Sequence, residues 1–190
     1  MDLSVKYLII DLEATCSDDG SIASDDMEII EIGACWATSS GQVLHRFQHF
    51  VKPLVNPLLT PFCTSLTGIT QTDVDGAPFY SVVAERLKDF VEANRAPGSI
   101  WMSWGSYDLK QLIRESSFHN VAHPIALPHE NAKKTFAKVQ KIGKQVGMTK
   151  ACELVGRPLI GQHHRGLDDA ENIAGLLPWI LGHRHTRNGA

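Results

Sequence analysis

The stretch Lys6-Tyr-Leu-Ile-Ile-Asp-Leu-Glu-Ala-Thr15 limits what this chain can become, because an apolar run breaks there into two carboxylates, Asp11 and Glu13, one residue apart. Unbroken apolar residues at Tyr7, Leu8, Ile9 and Ile10 read as a central strand covered on both faces. Side chains two apart on a strand point the same way, so Asp11 and Glu13 project together from its C-terminal end, about 7 Å apart along the backbone. Like charges held that close at the edge of a core repel each other, and a bound divalent cation is the usual compensation. Oxygen-only ligands favour a hard ion, Mg²⁺ or Mn²⁺. Two solvated acids in a loop would show the same short pattern, so the rest of the chain has to decide.

With 190 residues, 43% of them apolar and 21% charged, the chain has the size and composition of one folded domain with a sizeable core. The expected domain covers residues 1–185, with a short polar tail at 186–190. The N-terminus shows no leader pattern and no apolar run approaches a membrane span, so a cytoplasmic protein without a membrane partner is expected. Cys16, Cys35, Cys63 and Cys152 lie far apart with no C-x-x-C, which argues against a zinc site or a disulfide framework. Cys16 lies beside the acidic pair, but no positioned histidine accompanies it as a nucleophile would require. Net charge is only −3, yet its distribution is lopsided. Residues 1–31 hold nine acids against Lys6 alone, whereas residues 131–167 hold Lys133, Lys134, Lys138, Lys141, Lys144, Lys150, Arg157 and Arg165 against Glu153 alone. A polyanion whose reacting phosphate sits on metal ions while its backbone lies on lysines suits that arrangement.

Residues 17–26 read as an exposed loop, followed by strand-like runs at Glu28–Ala37 and Gln42–Lys52 joined by a turn at 38–41. Three successive strands predict an antiparallel meander. Residues 53–71 contain Leu66-Thr-Gly-Ile-Thr70, which reads as a loop in which Gly68 allows close approach of a ligand to the backbone. A helix follows Pro78, with Phe79, Val82, Val83, Leu87, Phe90 and Val91 at helical spacing, then a short strand at Ser99–Trp104. Past Gly105 comes a helix whose stripe is Leu109, Leu112 and Ile113; the lysine-rich segment and Thr149–Val155 look helical, and the last helix starts near Gly166. A meander followed by alternating strand and helix implies one α/β domain, a mixed sheet with helices packed on it. Ligands of such sheets gather at the carboxyl ends of the strands. Asp11 and Glu13 stand at one such end, and Asp108 follows another by a four-residue turn.

Asp108 falls in the first turn after Ser106, where the helix dipole also favours an acid, so alone it proves little. The segment Gly161-Gln-His-His-Arg-Gly-Leu-Asp-Asp-Ala-Glu-Asn172 is more specific, since it brings two histidines close to two acids just before a helix. The apolar stripe of that helix, Ile173, Leu176, Leu177 and Ile180, shares its side with Asp169. Asp168 is rotated about 100° away, toward a surface or capping role. Inside one helix His164 and Asp169 would stand about 140° apart, so His164 is expected in the preceding loop, where its near-neutral pKa suits it to accept a proton from water. His163 reads as a plain surface imidazole.

Asp11-Leu-Glu13, then Asp108, then His164-x-x-x-x-Asp169 resembles in order and spacing the DEDDh, or DnaQ-like, 3′→5′ exonucleases. Phe50-Val-Lys-Pro, Asn56-Pro, Phe62-Cys-x-x-Leu-Thr-Gly-Ile-Thr-Gln71, Ser103-Trp-Gly-x-Tyr-Asp108 and Gly156-Arg-Pro are similar to the branch containing the histone-mRNA 3′ exonuclease and its KapD-like relatives. The resemblance implies an RNase H-like fold with a mixed five-stranded sheet, and two Mg²⁺ or Mn²⁺ ions held by Asp11, Glu13, Asp108 and Asp169. It implies that His164 is the general base for hydrolysis at the 3′ end of single-stranded RNA or DNA, releasing 5′-mononucleotides. By the same resemblance, backbone at Leu12, Ala14 and Thr15 receives the terminal nucleotide, Leu66 wedges against its base and Tyr107 borders it. Lys133 and Lys134 remain the expected contacts to the strand's backbone. Two other classes compete: a non-catalytic regulator of the same fold, which would lack one of the five site residues, and a single-strand-binding module, which has no use for buried acids.

Overall fold

The computed structural model describes residues 5–186. In chain order its elements are β1 (Lys6–Ala14), β2 (Ile29–Thr38), β3 (Val43–Phe50), α1 (Pro61–Thr67), α2 (Gln71–Asp75), α3 (Tyr80–Asn94), β4 (Ile100–Ser103), α4 (Tyr107–Phe118), β5 (His129–Asn131), α5 (Ala132–Val139), α6 (Met148–Val155), α7 (Gly166–Gly175) and α8 (Leu177–Ile180). The five strands form one mixed sheet in the order β3-β2-β1-β4-β5. β1 pairs antiparallel with β2 and β2 with β3, while β4 runs parallel to β1 and β5 parallel to β4. The expected meander and the α/β arrangement are both present.

Alternation along β1 divides the core in two. Leu8, Ile10 and Leu12 face a cluster with Trp36, Tyr80, Leu87 and Leu112, supplied largely by α3 and α4. Ile9 faces the opposite layer, where Phe136, Ile173, Leu177 and Ile180 come from α5, α7 and α8. Asp11 and Glu13 follow Ile9 in that alternation, so both carboxylates are delivered to the α7 side of the sheet. The stripe Ile173, Leu176, Leu177 and Ile180 is fully buried, as its spacing predicts. Pro178, which has no N–H, lies at the start of α8 and separates it from α7.

Several local expectations are corrected. Of the loop expected at Leu66–Thr70, Leu66 and Thr67 end helix α1, which is capped by Thr60 with Pro61 in its first turn, and Thr70 opens α2 through a reciprocal Thr70–Asp73 capping box. Ile113 is 52% exposed, because the buried face of α4 is mainly polar, formed by Asp108, Gln111, Glu115 and Ser116 beside Leu112. The lysine-rich helix ends at Val139, leaving Lys141 and Lys144 in a loop. Thr186, assigned to the tail, is buried and its N–H donates to Gln140 Oε1 at 2.8 Å; residues 187–190 of that tail, like residues 1–4 of the domain, lie outside the described residues. Among the described residues no helix is long and apolar enough to cross a membrane.

Candidate active site

Three backbone arrangements assemble the acids. Asp11 and Glu13 leave the end of β1 on the α7 side, and Asp169 in the first turn of α7 meets them there. Oxygens of the three carboxylates lie within 4.8 Å of one another. That approach depends on two glycines, Gly33 of β2 and Gly166 at the start of α7. A Cβ on Gly33 would fall 1.9 Å from the Gly166 carbonyl carbon, and one on Gly166 would fall 3.0 Å from the Asp11 carbonyl oxygen. Asp108 arrives from α4, buried, with Oδ1 accepting the Leu12 N–H at 3.2 Å. That N–H is free because β1 pairs with β4 only as far as Ile9.

These carboxyls resist ionisation. Burial, then the charges of Asp108, Glu13, Asp169 and Glu31, hold Asp11 well above the usual carboxylate range. Burial followed by Asp169, Glu31 and Asp108 pushes Glu13 up to about 8. Burial raises Asp108 to about 6 against the Ser103 hydroxyl and the Leu12 N–H, which favour its ionised form. Asp169 is likewise raised by burial, against the His164 N–H and the neighbouring His163. Among the described residues no lysine or arginine forms an ion pair with any of the four. Crowded oxygen donors without a lysine or arginine partner fit a hard divalent ion, which would relieve the repulsion that raises their pKa values.

The loop before α7 carries both histidines. His164 has φ +65°, a left-handed conformation uncommon outside glycine, and its N–H donates to Asp169 Oδ2 at 3.0 Å. It lies in the loop and is half-buried, and burial followed by the neighbouring His163 lowers its pKa below the ordinary imidazole value. His163 is not the plain surface imidazole its sequence context implies: its Nδ1 stands 3.1 Å and 2.9 Å from the two Asp169 oxygens. Asp168 turns away from the acids, accepting the Gln162 N–H at 2.8 Å and so pinning the loop from outside.

Sequence reasoning passed over the pair that anchors this loop. Glu31, fully buried opposite Glu13 in the β1–β2 register, accepts hydrogen bonds from Arg165 Nε at 3.1 Å, Arg165 Nη2 at 3.2 Å, the Gly166 N–H at 3.0 Å and Gln48 Nε2 at 2.6 Å. An acid amid the run Ile29-Ile30-Glu31-Ile32 was the available signal. Gly33 carried another, since a glycine inside a strand often marks close backbone approach.

The residues expected to touch nucleic acid are dispersed around this centre. The Leu12 N–H is taken by Asp108, the Ala14 carbonyl accepts from Cys63 Sγ at 3.6 Å, and Thr15 is buried with its hydroxyl accepting the Glu28 N–H at 2.9 Å. Leu66 on α1 and Tyr107 at the start of α4 are 36% and 45% exposed, and the Tyr107 hydroxyl points at Met27 Sδ. Gly68 caps α1 in the left-handed conformation, but its close neighbour is the Gln162 side chain, where a Cβ would come within 2.6 Å. Lys133 and Lys134 open α5, whose cap Asn131 donates to the Ser106 hydroxyl at 3.1 Å, beside the start of α4.

Similarity to known proteins agrees with this arrangement. Residues 8–177 match the exonuclease family model RNase_T. The chain is 33% identical over 179 residues to ERI1 exoribonuclease 3 of Mus musculus, covering 90% of this chain and 52% of the relative. It is 32% identical over 180 residues to the Homo sapiens 3′-5′ exoribonuclease 1, covering 91% of this chain and 51% of the relative. The chain thus spans about half the length of the curated relatives it matches. Among solved structures, the rAMP-bound nuclease domain of 3′hExo, a DEDDh family member, superposes with a TM-score of 0.81 at 29% identity, covering 93% of this chain and 91% of that one. A 3′-exonuclease solved for 3′-end specific recognition of a histone mRNA stem-loop superposes with a TM-score of 0.81 at 28% identity, covering 93% of this chain and 81% of that one. With its mixed sheet, its acid cluster and a family match across most of its length, the chain belongs to the exonuclease family and resembles its DEDDh members.

Proposed function

We propose that this protein is a metal-dependent 3′→5′ exonuclease that releases 5′-mononucleotides from single-stranded ends, with two Mg²⁺ or Mn²⁺ ions per site. The observation that carries the reading is the convergence of Asp11, Glu13 and Asp169, with Asp108 beside them, without a lysine or arginine partner among the described residues, next to a half-buried His164. Asp11, Glu13 and Asp169 would share one ion and Asp108 would support the second. Bound there, the ions would stabilise charge developing on the scissile phosphate and on the leaving 3′ oxygen.

The protein's own groups supply the rest. With its pKa held below the imidazole norm, His164 is neutral at pH 7 and has a lone pair to take the proton of the attacking water. The Glu31–Arg165 pair and the Asp169–His164 N–H contact hold the loop that carries this base. Leu66 and Tyr107 offer apolar surface to a terminal base, a contact that tolerates sequence, and Lys133 and Lys134 offer charge to the strand behind it. The names of the relatives favour RNA over DNA as the substrate.

A single assay tests the reading: 5′-labelled single-stranded RNA and DNA incubated with Mg²⁺, with Mn²⁺ and with EDTA. Progressive shortening from the 3′ end, mononucleotide products and complete loss in EDTA are expected. Intact substrate under all metal conditions would favour a regulator or a passive binder.

A further inference from the structure

Beside the oxygen-rich acid cluster stands a second group of donors with different chemistry, His163, His164 and Asp169, whose ligand atoms also lie within 4.8 Å of one another. The left-handed backbone at His164 creates it. Consecutive side chains of an extended chain point to opposite sides, whereas the turn at φ +65° brings the two imidazoles together, stacked with centroids 4.0 Å apart and planes 25° apart. A non-glycine residue stays in that conformation only where its surroundings fix it, and here the His164 N–H is bonded to the Asp169 carboxylate at 3.0 Å. His163 Nδ1 lies 2.9 Å and 3.1 Å from the same carboxylate's oxygens.

We propose that His163, His164 and Asp169 form a binding site for Zn²⁺, separate in donor type from the sites for the hard catalytic ions. Two imidazoles and one carboxylate are a ligand set that zinc takes in protein sites, with a fourth position left to water. Imidazole nitrogen ranks zinc far above magnesium, which prefers oxygen and gives up its own water reluctantly. Bond lengths near 2.0–2.2 Å at tetrahedral angles place neighbouring donors roughly 3.3 Å apart, so the His163–Asp169 spacing opens by a few tenths of an ångström, while the His164 ring has to turn out of the stack to aim its nitrogen at the same ion. The exposed His163 gives an ion access from solvent.

Zinc bound there would occupy the lone pair of His164 and one carboxylate of the acid cluster, so it would inhibit the nuclease. That consequence rests on the function proposed above, whereas the binding does not. The two are therefore tested apart, with Zn²⁺ alone as the probe, competed against a chromogenic chelator on wild type, His163→Ala and Glu13→Gln. His163→Ala should raise the zinc dissociation constant at least about tenfold, while Glu13→Gln, which disturbs only the oxygen cluster, should change it less than about threefold. In a nuclease assay at fixed Mg²⁺, the zinc concentration giving half-inhibition should rise by at least the same factor of about ten in His163→Ala, whatever that variant's basal rate. Equal zinc affinity in wild type and His163→Ala, or a loss confined to Glu13→Gln, would place the ion among the acids and overturn the site. Zinc binding that needs His163 in a protein without nuclease activity would keep the site and remove the function.

Discussion

Two sets of buried or half-buried acids lie within this fold, and they are treated in opposite ways. Glu28, Glu31 and Glu115 are each satisfied by the protein. Glu28 accepts the N–H groups of Leu54, Val55 and Asn56, Glu31 holds Arg165, Gln48 and the Gly166 N–H, and Glu115 accepts the Ile29 N–H and the Gln111 amide. Asp11, Glu13, Asp108 and Asp169 are instead turned toward one another, with few donors of their own. A buried carboxylate that its surroundings satisfy holds the fold, whereas one left facing its own kind awaits something the chain does not supply. Neutralising the first kind should cost the protein stability, and neutralising the second should disable it at little cost in stability.

The largest separation is expected at Asp11. Asp11→Ala should retain less than about a tenth of the wild-type rate, while thermal unfolding of the metal-free variant shows little loss of stability because one repelling carboxyl is gone. Next, His164→Ala should lower the rate roughly 10²–10⁴-fold in Mg²⁺, as loss of a general base does. At saturating Mg²⁺, which keeps the carboxyls ionised, the acid limb of wild-type activity should lie below the ordinary imidazole value, because burial lowers the His164 pKa. A His164→Ala rate within tenfold of wild type, or an unchanged acid limb in that variant, would remove the base from the scheme.

Glu31→Ala tests the other side of the comparison. It leaves Arg165, whose side chain is 23% exposed, without its partner and frees the Gly166 N–H, and denaturant melts should show a loss of about 3–5 kcal/mol. Activity should drop with it, since the loop holding His164 loses its anchor; unaltered stability would contradict the scaffold role. Smaller again is a pH effect on the metal-free protein. Glu13 titrates near 8 when folded against 4.5 ordinarily, so the folded form keeps a proton that the unfolded chain releases. Stability should therefore fall as pH rises through that window, and saturating Mg²⁺ should flatten the fall. The smallest effect is expected from reversing Lys133, Lys134 and Lys138 to Glu, which should weaken binding of long single strands and reduce its salt dependence.

One half of this contrast, the clustered acids, was legible in the sequence, because periodicity carries direction. Strand alternation placed Asp11 and Glu13 on one face, and the stripe through Ile173 and Ile180 turned Asp169 inward and Asp168 outward. What escaped depends on long-range partners or on single dihedral angles. Glu31 and Arg165 meet across 134 positions, and nothing local to either announces the other. His163 reaches Asp169 through a left-handed turn at His164, where sequence gives no glycine to mark it. β5 is three polar residues recruited by its register with β4, and α1 and α2 are short helices signalled only at their starts, by Thr60 with Pro61 and by Thr70 with Asp73. Ile113 looked apolar enough for a core, but α4 spends its buried face on Gln111 and Glu115, which hold Met27 and Ile29 where β2 begins.

The difference between the two acid sets is tested most directly by a Mn²⁺ binding isotherm on wild type, Asp11→Asn and Glu115→Gln at one pH near neutrality. Wild type and Glu115→Gln should bind with matching stoichiometry and affinity, while Asp11→Asn loses binding by at least about tenfold. Undiminished Mn²⁺ binding in Asp11→Asn, or its loss in Glu115→Gln, would show that the unpaired acids are not the metal site.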